Sequence, residues 1–152
     1  EKVVPMGAIA YAFSEEGAGI DGKSFSLLPV EIFYRETGKT KKVTEYPCDG
    51  KLLKAAEQVK TKYHTGRGVI GSGDEWNNQL DRIALLRERY HTAVEDMESA
   101  AAAQLCLSYG VPFLGVRILS NSIVNGEKFD EAVGIDGQKF MLSLVDQMRE
   151  YM

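Results

Sequence analysis

Glu98, Trp76 and the pair Ser120-Asn121 are the residues of this chain best suited to holding a small polar ligand. A carboxylate only accepts hydrogen bonds, so Glu98 could hold two hydroxyls of a sugar. Its plainer reading is a helix-start charge, favoured by the dipole of the helix that follows. Trp76, the only tryptophan, follows the turn Gly71-Ser72-Gly73-Asp74-Glu75. An indole face can stack on a flat heterocycle or cap a core. Two glycines after an apolar strand can turn sharply and bring backbone donors to a ligand. The stretch is no phosphate loop, because it lacks Gly-x-x-x-x-Gly-Lys-[Ser/Thr]. The Asn121 amide can meet the N6/N7 edge of adenine, or Asn121 can be a turn residue. Arg117 stands inside an apolar run and calls for a carboxylate partner, since an unpaired buried charge is costly.

These groups fall at the ends of predicted elements, where α/β proteins bind ligands. Apolar runs predict strands over 7–13, 66–72, 92–96 and 111–119. Residues 27–34 read as a short strand or extended segment interrupted by Pro29. Residues 14–26 read as a loop and 35–42 as a charged turn around Gly38. Helical spacing predicts helices over 51–63, with Leu52, Leu53, Ala56, Val59 and Tyr63 on one face, and over 78–90 and 140–152. Residues 99–109 form a helix of small residues, stopped by Gly110. Alternating strands and helices predict an α/β fold: three α/β/α layers around a mixed, mostly parallel central sheet.

The bulk properties narrow the function. The 152 residues suit one domain and can bury a core. A net charge of −4 disfavours nucleic acid as partner. No apolar run approaches the roughly 18 residues of a membrane span. Cys48 and Cys106 give neither a disulfide framework nor metal spacing, and Cys106 reads as a small buried hydrophobe. His64 and His91 stand alone near helix ends and read as structural or solvated. The opening Glu-Lys-Val-Val-Pro lacks a signal-peptide pattern and reads as the interior of a longer, cytoplasmic protein.

Together, the Val-Val-Pro opening, Ser-Gly-Asp-Glu-Trp (72–76), Val-Glu-Asp-Met-Glu-Ser-Ala-Ala (94–101) and Val-Pro-Phe-Leu-Gly-Val-Arg (111–117) resemble the nucleoside phosphorylase/nucleosidase superfamily. The nearest branch is the 5′-methylthioadenosine/S-adenosylhomocysteine nucleosidases. The resemblance implies a phosphorylase/hydrolase-like fold, with residues 1–152 the C-terminal portion of one domain and the sheet therefore incomplete. It makes Glu98 the ribose-binding glutamate and Met97 the methionine packed on the ribose. Trp76 falls where the family places an aromatic on the purine, and backbone groups near Trp76 and Asn77 would hold the base edge. Ser120 matches the small hydroxyl residue before the catalytic acid, whose place Asn121 takes. Leu28 and Pro29 match a segment that closes a neighbouring subunit's site, implying a homodimer. No metal or organic cofactor is implied.

The family nucleosidases carry Asp where this chain has Asn121, and that Asp donates a proton to purine N7. An amide can hydrogen-bond N7 but cannot supply the proton, a loss worth about 10²- to 10⁴-fold in rate. The family's N-terminal part, with the Glu that orients the attacking water, is not in this sequence. The expected activity is hydrolysis of the N-glycosidic bond of adenine nucleosides, as in methionine salvage. The alternatives are a purine nucleoside phosphorylase and a catalytically weak nucleoside-binding or storage protein.

Overall fold

The computed structural model describes residues 7–13 and 25–149. Strand β1 (Gly7–Phe13) pairs in parallel with β6 (Val69–Ser72), which pairs in parallel with β7 (Thr92–Asp96). Strands β2 (Phe25–Leu27) and β5 (Glu45–Pro47) run antiparallel to β1. Strands β3 (Val30–Tyr34) and β4 (Lys39–Val43) form a separate hairpin.

Strand alternation sorts the core into two faces. Ala8 and Ala10 of β1 join Tyr46, Ile70, Ala100 and Ala103 in one buried cluster. Tyr11, out of phase with them, packs on Leu86 on the opposite face. Helix α3 (Ser99–Tyr109) therefore covers one side and α2 (Leu80–Tyr90) the other. The result is the expected three-layer α/β/α arrangement around a mixed sheet. The small residues of α3 matter because Ala100 and Ala103 lie directly against the sheet. Gly110 ends α3 at φ 67°, and the Val111 N–H closes onto the Cys106 carbonyl at 2.8 Å. Helices α1 (Gly50–Gln58) and α4 (Ala132–Arg149) pack on each other, with Asp49 Oδ1 capping α1 through the Lys51 and Leu52 amides.

Several expectations need correction. Residues 111–119 form no strand. Phe113 packs into the core, and its carbonyl accepts from the Asp49 amide at 2.7 Å. Gly115 lies over Ile70, and Arg117 reaches Asp96. Among the described residues the segment pairs with no strand of the sheet. The expected charged turn contains β4, because Lys39–Val43 pairs residue by residue with Val30–Tyr34. The first helix stops at Gln58, short of Tyr63, whereas the last begins at Ala132, well before Phe140. Cys106 is only half-buried. Of the expected 14–26 loop, residues 14–24 lie outside the described residues, as does the Val-Val-Pro opening, while 25–26 belong to β2.

Overpacking should separate the two sides of α3. Ala103→Leu should lower unfolding stability by about 1–3 kcal/mol. Ala102→Leu, on the exposed side of the same helix, should change it by less than about 0.5 kcal/mol. Urea unfolding of the two variants checks both values.

Candidate functional site

The start of α3 presents four amide N–H groups that its own turns cannot satisfy. Glu98 occupies the N-cap position but makes no side-chain capping bond. Two other side chains do that work. Asp96 Oδ1 accepts the Ser99 amide at 3.2 Å, and Ser72 Oγ accepts the Ala100 amide at 2.9 Å. Ser72 Oγ in turn donates to Asp96 Oδ1 at 2.5 Å, and Ser99 Oγ donates to Asp96 Oδ2 at 2.6 Å. The Arg117 guanidinium completes the set on Asp96 Oδ2. Arg117 thus has the carboxylate partner its sequence context calls for, although about a third of its side chain stays exposed. Burial alone pushes the Asp96 carboxyl up. The hydrogen bonds from Ser72 and Ser99, with the Arg117 charge, outweigh that and hold it below the usual carboxylate range.

With the Ser99 and Ala100 amides held by Asp96 and Ser72, the Glu98 carboxylate is left for other partners. It is exposed, and its one recorded bond is from the Met97 amide to Oε2 at 3.2 Å. It opens onto a cleft of about 900 Å³. The same cleft is lined by Met97, Trp76, Asn77, Ser120 and Asn121. Six predicted site residues from three chain regions therefore share one cavity. Leu28 and Pro29 do not line it; they lie exposed between β2 and β3.

Trp76 is 66% exposed, which removes it from the core and leaves its ring at the cleft. Its loop is anchored on both sides. Glu75 pairs with the buried Arg82 at 3.1 Å. Glu95 Oε2 accepts from Asn77 Nδ2 at 2.9 Å and from the Tyr11 hydroxyl at 2.7 Å. The Asn77 side chain is therefore engaged by the protein, and only backbone groups near it could meet a ligand. Burial, followed by this bond to Glu95, pushes the Tyr11 phenol well above its ordinary range. Gly73 is not a ligand donor, since its N–H goes to the Asp96 carbonyl at 3.0 Å. A side chain there would strike the Tyr11 ring at 2.8 Å, so close packing requires the glycine. Also at the cleft, Ser120 Oγ donates to Asn121 Oδ1 at 3.0 Å.

Sequence reasoning missed Asp96, Ser72, Glu95 and Tyr11. Period-two alternation along β7 could have found the first of them. Val94 and Asp96 share one face and Glu95 takes the other, so a polar residue at each position needed a partner. His91 is the left-handed C-cap of α2 and also lines the cleft, whereas His64 is exposed. Among the described residues no group of His, Cys, Asp or Glu is placed to hold a metal ion, and no helix is long and apolar enough to cross a membrane.

A family model described as the phosphorylase superfamily matches residues 3–148. The chain belongs to this superfamily. It is 34% identical over 129 residues to a 5′-methylthioadenosine/S-adenosylhomocysteine nucleosidase of Bacillus pumilus (strain SAFR-032), covering 78% of this chain and 55% of that protein. An enzyme of the same name from Aeromonas salmonicida (strain A449) is 32% identical over 125 residues, covering 78% and 54%. The chain spans about half the length of the curated relatives it matches. Among solved structures, the native futalosine hydrolase of Helicobacter pylori strain 26695 superposes with a TM-score of 0.59 at 22% identity, over 97% of this chain and 62% of that one. Helicobacter pylori MTAN gives 0.58 at 24%, over 97% and 63%. These two likenesses extend the fold assignment across the described chain.

The Asp96 cluster should be visible in acid. Its carboxyl titrates below the unfolded value of about 3.9, so its contribution is whole above that pH and fades as pH falls through the folded pKa. Asp96→Asn should cost about 1–3 kcal/mol at pH 7, as a set of charge-assisted bonds is lost. The gap from the wild type should narrow progressively below about pH 4, as read by denaturant titration across pH.

Proposed function

We propose that this protein hydrolyses the N-glycosidic bond of purine nucleosides, with adenine nucleosides bearing a 5′-thio substituent, such as 5′-methylthioadenosine or S-adenosylhomocysteine, as substrates. The observation that carries the reading is the uncapped Glu98 carboxylate in the same cleft as the Asn121 amide. The relatives' names supply the substrate class. Glu98 accepts hydrogen bonds from the two ribose hydroxyls, and Met97 packs against the sugar. Trp76 stacks on the purine. Backbone groups near Asn77, with Ser120 and Asn121, hold the base edge.

In the reaction, water oxygen bonds C1′ as the C1′–N9 bond breaks. The bonding pair leaves with the purine, which then gains a proton while the water loses one. The sugar passes through oxocarbenium character, which a carboxylate close to its hydroxyls stabilises. Asn121 lowers the cost of the leaving base by donating a hydrogen bond to N7, but transfers no proton. Hydrolysis is therefore slower than with an acid at this position. Exposed Leu28 and Pro29, outside the cleft, fit a role at the site of a second copy in a homodimer. A cytoplasmic place in methionine salvage follows from the same substrate class.

Adenine release from 5′-methylthioadenosine tests the reading, with the Glu98→Gln and Asn121→Asp variants alongside the wild type. Glu98→Gln should cost about 10²-fold or more in kcat/KM, because a donor replaces half of an acceptor pair. Asn121→Asp should raise kcat by about 10- to 10³-fold, with the gain lost at high pH as the new acid ionises. Absence of release by folded protein, with or without inorganic phosphate, rejects the proposal. Strict phosphate dependence turns it into phosphorolysis.

A further inference from the structure

Trp76 is an exposed ring on a backbone held from both sides. Before it, Glu75 pairs with Arg82, which is buried on α2. After it, Asn77 donates from Nδ2 to Glu95 Oε2 at 2.9 Å, and Asn77 Oδ1 accepts from the Gln79 amide at 3.2 Å, just ahead of α2. At the start of the loop, Gly73 lies against the Tyr11 ring, and the Tyr11 hydroxyl donates to the same Glu95 oxygen at 2.7 Å. One carboxylate therefore reaches the loop at both ends, directly through Asn77 and through Tyr11 beside Gly73. It stands on β7, where the ladder to β6 sets Glu95 opposite Gly71.

We propose that Glu95 is a positioning residue that holds the 73–77 loop ready for a ligand, so that Trp76 meets a purine without first being ordered. The inference rests on the nucleoside reading above and adds to its site a residue that acts through Asn77 and Trp76. A bond to an ionised acceptor is stronger than one between neutral groups, which suits a single side chain to this task. A stacking ring gives its full contact only if its backbone stays still. Each side chain that must be ordered on binding costs up to about tenfold in affinity. The cost is avoided where the free protein already holds the bound form.

The test exchanges donor and acceptor across the Asn77–Glu95 bond. Asn77→Asp keeps an oxygen for the Gln79 amide but sets a second carboxylate against Glu95. Adding Glu95→Gln restores a donor, now from position 95 to position 77, while the Gln oxygen can still accept from the Tyr11 hydroxyl. Circular dichroism checks the fold of both variants. Trp76 is the only tryptophan, so time-resolved fluorescence anisotropy of the ligand-free protein reads its local motion alone. Calorimetry reads binding of a carbon-linked analogue of 5′-methylthioadenosine, which cannot be cleaved. Asn77→Asp should enlarge the fast anisotropy decay and weaken binding about tenfold. The double variant should bring both back to within about threefold of the wild type. Indole motion unchanged in Asn77→Asp, or a defect that Glu95→Gln fails to recover, overturns the proposal and leaves the nucleoside reading intact. If folded wild type binds no analogue, the nucleoside reading fails, and with it the purine-stacking role proposed for the loop, whatever the anisotropy shows.

Discussion

The site depends on one carboxylate. Asp96 gathers hydrogen bonds from Ser72 at the end of β6, from Ser99 at the start of α3 and from Arg117 in the 111–119 segment. These bonds join three pieces of chain to the end of β7. Three are side-chain bonds to an ionised acceptor, which are stronger than neutral ones. Two side chains that belong to the sheet thereby hold two of the helix-start amides, and the neighbouring Glu98 is left out of the capping. Arg117 ties the segment that leads directly to Ser120 and Asn121. Arg117 is thus the link from this knot to residues 120 and 121, since the segment before them has no strand ladder to hold it.

The sheet-forming half of the fold was legible because its signals are local. Residues 7–13, 69–72 and 92–96 are short apolar runs, and 99–109 pairs small residues with a stopping glycine. The segment 111–119 is just as apolar, yet it is not a strand. Its apolar character does not translate into burial: none of these residues is fully buried, and Val111, Ile118 and Leu119 are exposed. Hydropathy alone cannot tell such a segment from a strand. The β3–β4 hairpin was hidden for the opposite reason: its second strand, Lys-Thr-Lys-Lys-Val, is almost wholly exposed and carries no core-facing alternation.

The candidate site was legible where residue type alone carried the meaning. Glu98, Met97, Trp76, Ser120 and Asn121 were named from motifs, and the structure brings them into one cleft. Which of two carboxylates caps the helix was not legible, since Asp96 and Glu98 are equally plausible caps by position. Its place at the end of β7, bonded to Ser72 of β6, gives the role to Asp96. The role of Asn77 was likewise undecided until Glu95, a strand residue facing the same loop, took its side chain. The amide at position 121 then changes what the scaffold can do. An amide has no transferable proton, so under the proposed function it orients the base without protonating it.

The central claim is that Glu98 and Asn121 grip opposite ends of a single nucleoside. A crystal structure with a nucleoside analogue whose glycosidic nitrogen is replaced by carbon, and which therefore cannot be cleaved, tests it most directly. The account predicts both ribose hydroxyls within about 3.2 Å of the Glu98 oxygens, and purine N7 at the same range from Asn121 Nδ2. An analogue seated with its sugar away from Glu98, or with its base edge turned from Asn121, would contradict it.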